Sequence, residues 1–252
     1  MDVFWTLPPV TRTITALAVI VSALGYSSMI SFGHVVFVSD FVFTVKMMPQ
    51  LWRLVTAFFI TNPKFAILMD PYMLYQYGSG LERESTRFSR PGDFFVYTVF
   101  VGSVIAGIGG YILGGFSFLQ ALSLAYAYTY AQDNPTRQAS FFIISFPSKY
   151  LPFAMLFMTF IIDGPNPAMV QLTGLVAAHL YDFLTRIWPT FGGGKNYIYT
   201  PAAVQRLFAA KAGGVEARPY GSAQQGRPRE ADAATGRSTG FGERGPGRRL
   251  GD

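Results

Sequence analysis

The chain has 252 residues, of which half are apolar, 16% aromatic and only 13% charged, with no cysteine; soluble domains usually carry about 25% charged residues. Ten Lys/Arg and five Asp/Glu fall between Lys195 and Asp252, which leaves ten basic and nine acidic residues for the first 194. A nearly neutral apolar body with a basic tail argues against a soluble domain, scattered bases without interleaved aromatics argue against a nucleic-acid partner, and the missing cysteines exclude disulfides.

The first long apolar run, TITALAVIVSALGYSSMISF (13–32), is long enough to cross a hydrocarbon core of roughly 30 Å. Its flank is weakly charged and further spans follow, so it reads as an uncleaved first span rather than a signal peptide. Phe37, Phe41, Val45 and Met48 then recur at helical spacing. They suit a helix lying in the membrane interface or one packed on neighbouring spans. A weak second span (65–81) is interrupted by Asp70-Pro71, and a clear third covers 94–113. The third carries Gly102, Ala106, Gly110 and Gly114 at four-residue steps, a pattern that lets helix backbones approach closely in lipid. The fourth (116–131) is short. The fifth lies within 139–162, where Pro147, Lys149 and Pro152 break it, leaving a span of about 149–162 with LPFAMLFMTFII as its clean core, and the sixth covers 168–188. Within 195–210, Thr200-Pro201 predicts a helix start with a capping hydroxyl, placing Val204, Leu207 and Phe208 on one face. From 211 to 252 the chain is rich in Gly, Pro, Ala, Gln and Arg, a composition that predicts disorder.

These elements define an all-α polytopic membrane protein, with six transmembrane helices, an interfacial first loop and a disordered tail. Basic residues set its orientation. Arg83, Arg87 and Arg90 lie between spans two and three and Arg137 between four and five, while the 3–4 and 5–6 connections hold none. Both termini are therefore expected in the cytosol.

Several polar groups interrupt the apolar runs: Asp70 and Gln76 in the second, and Gln171, His179 and Asp182 in the sixth. Such groups usually face a bundle interior or a wet cavity. His179, Asp182 and Arg186 can share a helix face, either as a structural network near the cytosolic end or as the lining of a hydrophilic path. Span length points to the lipid itself. Sixteen residues of helix reach about 24 Å and twelve about 18 Å, short of a core of roughly 30 Å, and a short span is accommodated by local thinning or by snorkelling flanks.

Several stretches together resemble the rhomboid superfamily, and within it the Derlins. PQLWRLVTAFF (49–59) resembles the first-loop Trp-Arg motif, with Trp52 and Arg53 in that role. LYQYGSGLERE (74–84), DNPTRQASFFIISFPSKYLPF (133–153) and GLVAAHLYDFLTRIWP (174–189) are similar to Derlin sequence at the second, fifth and sixth spans. GPGRRLGD (245–252) resembles the box by which some Derlins bind a hexameric AAA ATPase, which implies roles for Gly245, Gly247, Arg248, Arg249, Leu250 and Gly251, with Phe241 as a second anchor. The resemblance implies a rhomboid-like membrane domain over 1–194.

Active rhomboids resemble a template of His-x-x-Gly-x-x-x-Gly in span six and Gly-x-Ser-Gly opening span four. Setting its small pair on Gly174 and Ala178 puts Gln171 in the place of the base, and an amide cannot accept a proton near neutral pH. His179 falls one position after the pair, about 12 Å deeper. Ser117 would sit near the luminal edge, and neither Ser117 nor Ser123 lies in a Gly-x-Ser-Gly pattern. The resemblance thus implies a pseudoprotease of the endoplasmic reticulum that helps extract misfolded proteins for degradation, with an exit path between spans two and five. Its implied partners are a membrane ubiquitin ligase complex, the hexameric AAA ATPase, misfolded clients, membrane lipids and a possible second copy. No cofactor, metal or nucleic acid is expected. The alternatives are an active intramembrane rhomboid serine protease and a small-molecule transporter, the latter disfavoured by the lack of an inverted repeat.

Overall fold

Proline fixes φ and lacks the N–H that a first helical turn cannot satisfy, so Pro8-Pro9 is a natural helix start. In the computed structural model, which describes residues 6–42, 49–63, 66–141, 144–194 and 198–212, α1 accordingly runs Pro9–Tyr26. The Val10 and Thr11 amides of its first turn donate to Glu82 at 3.0 and 2.9 Å, and the Thr11 hydroxyl donates at 2.8 Å. The helix therefore begins before the expected 13–32 and stops earlier, just ahead of Ser28 at φ 61°.

The first loop holds two short turns of helix, α2 (Phe32–Val35) and α3 (Ser39–Val42), and then α4 (Arg53–Thr56), which runs into a 3-10 turn at Ala57–Phe59. The expected amphipathic helix is not continuous here. Phe37 is buried, with its amide donating to the Phe116 carbonyl at 3.0 Å, whereas Phe41 is exposed. Val45 and Met48 lie outside the described residues.

Helix α5 (Ala66–Glu84) runs through Asp70-Pro71 without interruption. Pro71 lies in its second turn, so only one backbone bond, to the Ile67 carbonyl, is lost. Helix α6 (Asp93–Ile105) continues into a wider π-helical stretch, Ala106–Ile112. The extra residue per turn slips the glycine stripe off one face. A Cβ at Gly110 would meet the rings of Phe37 and Phe118 at 2.6 and 2.9 Å, one at Gly102 would meet Phe58, and Gly114 ends the segment. The stripe seats aromatic rings rather than a neighbouring helix.

Helix α7 (Leu119–Asp133) is the central helix of the described bundle. Ala121 to Ala127 are buried without a break, as expected for a helix surrounded on all sides; it packs against α5, α6, α8 (Leu151–Ile162) and α9 (Pro165–Asp182). Between α7 and α8 the chain forms an antiparallel hairpin, β1 (Gln138–Phe141) with β2 (Ile144–Pro147), pairing Gln138 with Pro147 and Phe141 with Ile144. This corrects the all-α expectation. Residues 138–147 are aromatic and β-branched, a composition that fits a strand as well as an apolar helix.

Helix α9 passes through a π-helical turn, Phe183–Ile187, into α10 (Trp188–Phe191). The last helix, α11 (Ala202–Ala212), packs over the start of α6. The Thr200 hydroxyl does not cap it but donates to the Asp93 carboxylate. Val204 and Phe208 close over Gly92, whose φ of 86° favours glycine, while Leu207 points away and is exposed. Among the described residues two helices are long and apolar enough to cross a membrane, Pro9–Tyr26 and Asp93–Ile112; Ser148–Ile162 is apolar but shorter. The tail from Gly213 on, including the terminal box and Phe241, lies outside the described residues.

Candidate functional site

Of the polar residues singled out in the sequence, two converge. Asp70 on α5 and Gln171 on α9 are both buried, and both line a cavity of about 50 Å³ with Gln120 of α7, Thr159 of α8 and Asp163. Met69, Met73, Met155 and Met158 form much of its wall. Helices α5 and α8 border it but make no extended contact with each other. Asp70 Oδ2 and Gln171 Oε1 are buried with no hydrogen-bond partner among the described residues. A polar file leads to the cavity: Ser117 Oγ donates to Asn62 Oδ1 (3.0 Å), Asn62 Nδ2 to Gln120 Oε1 (3.1 Å), and Gln120 Nε2 to Asp163 Oδ2 (3.3 Å).

Gln76 and His179 are not part of it. Gln76 is on the exposed side of α5, and His179 is exposed with Nδ1 3.0 Å from the Tyr128 hydroxyl. Ser123 Oγ donates to its own helix, at the Gln120 carbonyl (2.9 Å). Neither serine is therefore bonded to an imidazole. Asp182 belongs to an ion cluster at the other end of the helices: Arg87 bridges Asp182 (2.8 Å) and Asp133, and Arg186 adds a contact to Asp182 at 3.3 Å. His179 stands outside this cluster. Gly174 and Ala178 are buried where α9 crosses α7, and a Cβ on Gly174 would fall inside the Ala121 carbonyl.

The Trp-Arg motif works as a clip. Trp52 Nε1 donates to the His34 carbonyl (3.3 Å), Thr56 Oγ1 to Val35 (2.8 Å) and an Arg53 terminal nitrogen to Val36 (2.8 Å), so three consecutive loop carbonyls are held by one turn of helix. Arg53 also donates through Nε to Gln50 Oε1 (2.6 Å) and lies over the Phe41 ring at 5.2 Å. Arg53 is 3% exposed and Trp52 54%, so the guanidinium serves the loop while the indole faces outward. Arg53→Ala should unclip the loop and lower the thermal midpoint, whereas Trp52→Ala should leave the midpoint near wild type. Thermal unfolding in lipid checks this, and equal midpoints for both variants would refute the division.

Glu82 and Thr56 were not singled out in the sequence, and Arg87 was read only as a basic loop residue that sets orientation. Signals were present: Glu82 is an acid in the last turn of α5, Arg87 follows just beyond it, and Thr56 follows Trp52 at helical spacing.

These elements define a largely helical protein with two long apolar helices and a small cavity that holds unpaired polar groups. The Der1-like family matches residues 7–202. The chain is 31% identical to human Derlin-1 over 256 residues, covering 100% of this chain and 98% of the relative. It is 30% identical to a probable derlin-1 homolog of Dictyostelium discoideum, over 81% of this chain and 83% of that protein. It is 31% identical to Derlin-1 of Drosophila melanogaster, over 66% and 67%. The chain belongs to the Der1-like family, the Derlins.

Proposed function

We propose that this chain is a non-catalytic Derlin of the endoplasmic reticulum membrane that helps move misfolded proteins to the cytosol for degradation. In this reading α1 and α5 to α9 are six spans with both termini cytosolic. The observation that carries it is a polar cavity beside a short helix. Helix α8 has 12 residues, about 18 Å of helix against a core of roughly 30 Å. Lipid thinned beside α5 and α8, together with unpaired polar groups between them, would lower the barrier for polar chain to cross. The exposed Trp52 gives the first loop an amphipathic contact with lipid. The serines support the non-catalytic part: Ser117 and Ser123 bond to Asn62 and to a backbone carbonyl, and Gln171 cannot act as a base.

The test has two arms. Removing the chain from cells should lengthen the half-life of misfolded clients of the endoplasmic reticulum. A fluorophosphonate serine probe should leave the purified chain unlabelled. Unchanged client half-lives would sink the degradation role, and labelling that disappears in Ser117→Ala or Ser123→Ala would make the chain a protease.

The terminal box completes the reading. A membrane ubiquitin ligase complex would mark the client, and GPGRRLGD would recruit the hexameric AAA ATPase, with Leu250 as apolar anchor and Arg248 and Arg249 donating to carboxylates. A peptide of residues 237–252 should bind the ATPase N-domain with micromolar affinity and lose it in Leu250→Ala; no saturable binding would remove the recruitment role.

A further inference from the structure

The cavity bordered by α5 and α8 has more acceptors than donors. Asp70 Oδ2 and Gln171 Oε1 both stay without a donor among the described residues. Asp163 Oδ2 receives a single long bond of 3.3 Å from Gln120. No Lys, Arg or His lines the cavity among the described residues. A buried acceptor left unpaired is destabilising, more so if it is charged, so the site favours an occupant that donates. Hydroxyl and amide groups bring acceptors of their own. An ammonium carries three donors and a guanidinium five, and neither accepts.

Size and walls narrow the occupant. A volume of about 50 Å³ holds a few waters or the head of one long side chain. The four methionines are flexible and polarizable, and they adapt to differing apolar stems. Met69 and Met158 are only half-buried, on α5 and α8 respectively, which places the rim between the two helices.

We infer that this cavity binds the basic side chain of a client's membrane-embedded segment, entering between α5 and α8, with Asp70, Asp163 and Gln171 as its acceptors. The inference rests on the reading of the chain as a Derlin that handles clients, and it names the client class that this site selects. A Lys or Arg at the centre of a span is costly to hold in lipid. A membrane subunit that lacks its acidic partner carries that penalty, and the cavity relieves it. An assembled subunit has its basic group paired and gains nothing there.

The experiment uses the full chain in microsomes, with a photo-crosslinking residue in place of Met158. Three single-span clients are compared, identical except for Lys, Gln or Leu at mid-span. The Lys client should crosslink about tenfold more than the Leu client, the ratio one charge-assisted bond supplies, with the Gln client near Leu. In Asp70→Asn the Lys-to-Leu ratio should fall to about one. Gln171→Leu should lower it as well, and it serves if Asp70→Asn fails to accumulate. Equal crosslinking of Lys and Leu clients, or of Lys and Gln clients, overturns the inference; if client turnover still depends on the chain, the Derlin reading stands. Turnover of all three clients that ignores removal of the chain overturns both.

Discussion

Gly174→Ala, the addition of one methyl group, is expected to unseat α9 from α7. The new Cβ would fall inside the Ala121 carbonyl, which is backbone of a helix buried on every side and cannot step aside. Two effects compete. Alanine is the better helix former by about 1 kcal/mol, while overpacking a tight contact costs about 3 kcal/mol or more when backbone must move. The clash wins, so the thermal midpoint in lipid and the steady-state abundance should both fall. Ala178→Gly, one turn on, removes a methyl instead and should cost only about 1 kcal/mol. A Gly174→Ala protein with an unchanged or raised midpoint would mean that propensity dominates and that the helices are not this close.

Arg87→Ala should be of comparable severity by a different route. One guanidinium bridges Asp133 at the end of α7 and Asp182 at the end of α9, and all three side chains are largely buried. Removing it leaves two carboxylates facing each other without their shared cation, and breaking a buried ion pair costs about 3–5 kcal/mol. Arg87→Lys should recover only part of this, because a single ammonium is a point charge where a planar fork served two partners. Changing Asp133 and Asp182 to Asn in the Arg87→Ala background should restore abundance, since it removes the repulsion. If that triple variant is as unstable as Arg87→Ala, the cost lies in packing of the arginine stem rather than in charge.

Apolar run length located helices in each of the six predicted segments, of which two, Pro9–Tyr26 and Asp93–Ile112, are long and apolar enough to cross a membrane among the described residues. Their ends were less legible. Pro9 and Glu82 start α1 earlier than the apolar run does, and a glutamate 72 residues from the Val10 amide cannot be paired with it by pattern. The hairpin at 138–147 was hidden because an apolar stretch next to a span reads as more span. Asp70 and Gln171 were visible as misplaced polar groups, but so were Gln76 and His179. Which of them meet depends on how α5 and α9 rotate against α7, a tertiary property set by contacts such as Gly78 against Thr11 and Tyr126 and Gly174 against Ala121. The π-helical stretch in α6 shows the same limit: its four-residue glycine spacing assumed 3.6 residues per turn, and the helix departs from that value.

Helix α11 has a mechanical consequence. It rests on the fold through Val204 and Phe208 over Gly92, a ring contact of 5.5 Å between Phe208 and Phe95, and the Thr200–Asp93 bond. Tension along the chain beyond Ala212 would therefore enter the protein at the start of α6, through these few side chains. A few side chains resist that load, against the many that bury α7. Pulling would peel α11 away, lengthen the tether by its eleven residues and spare the bundle. The attachment would then act as a mechanical fuse, releasing slack before the helical bundle bears force.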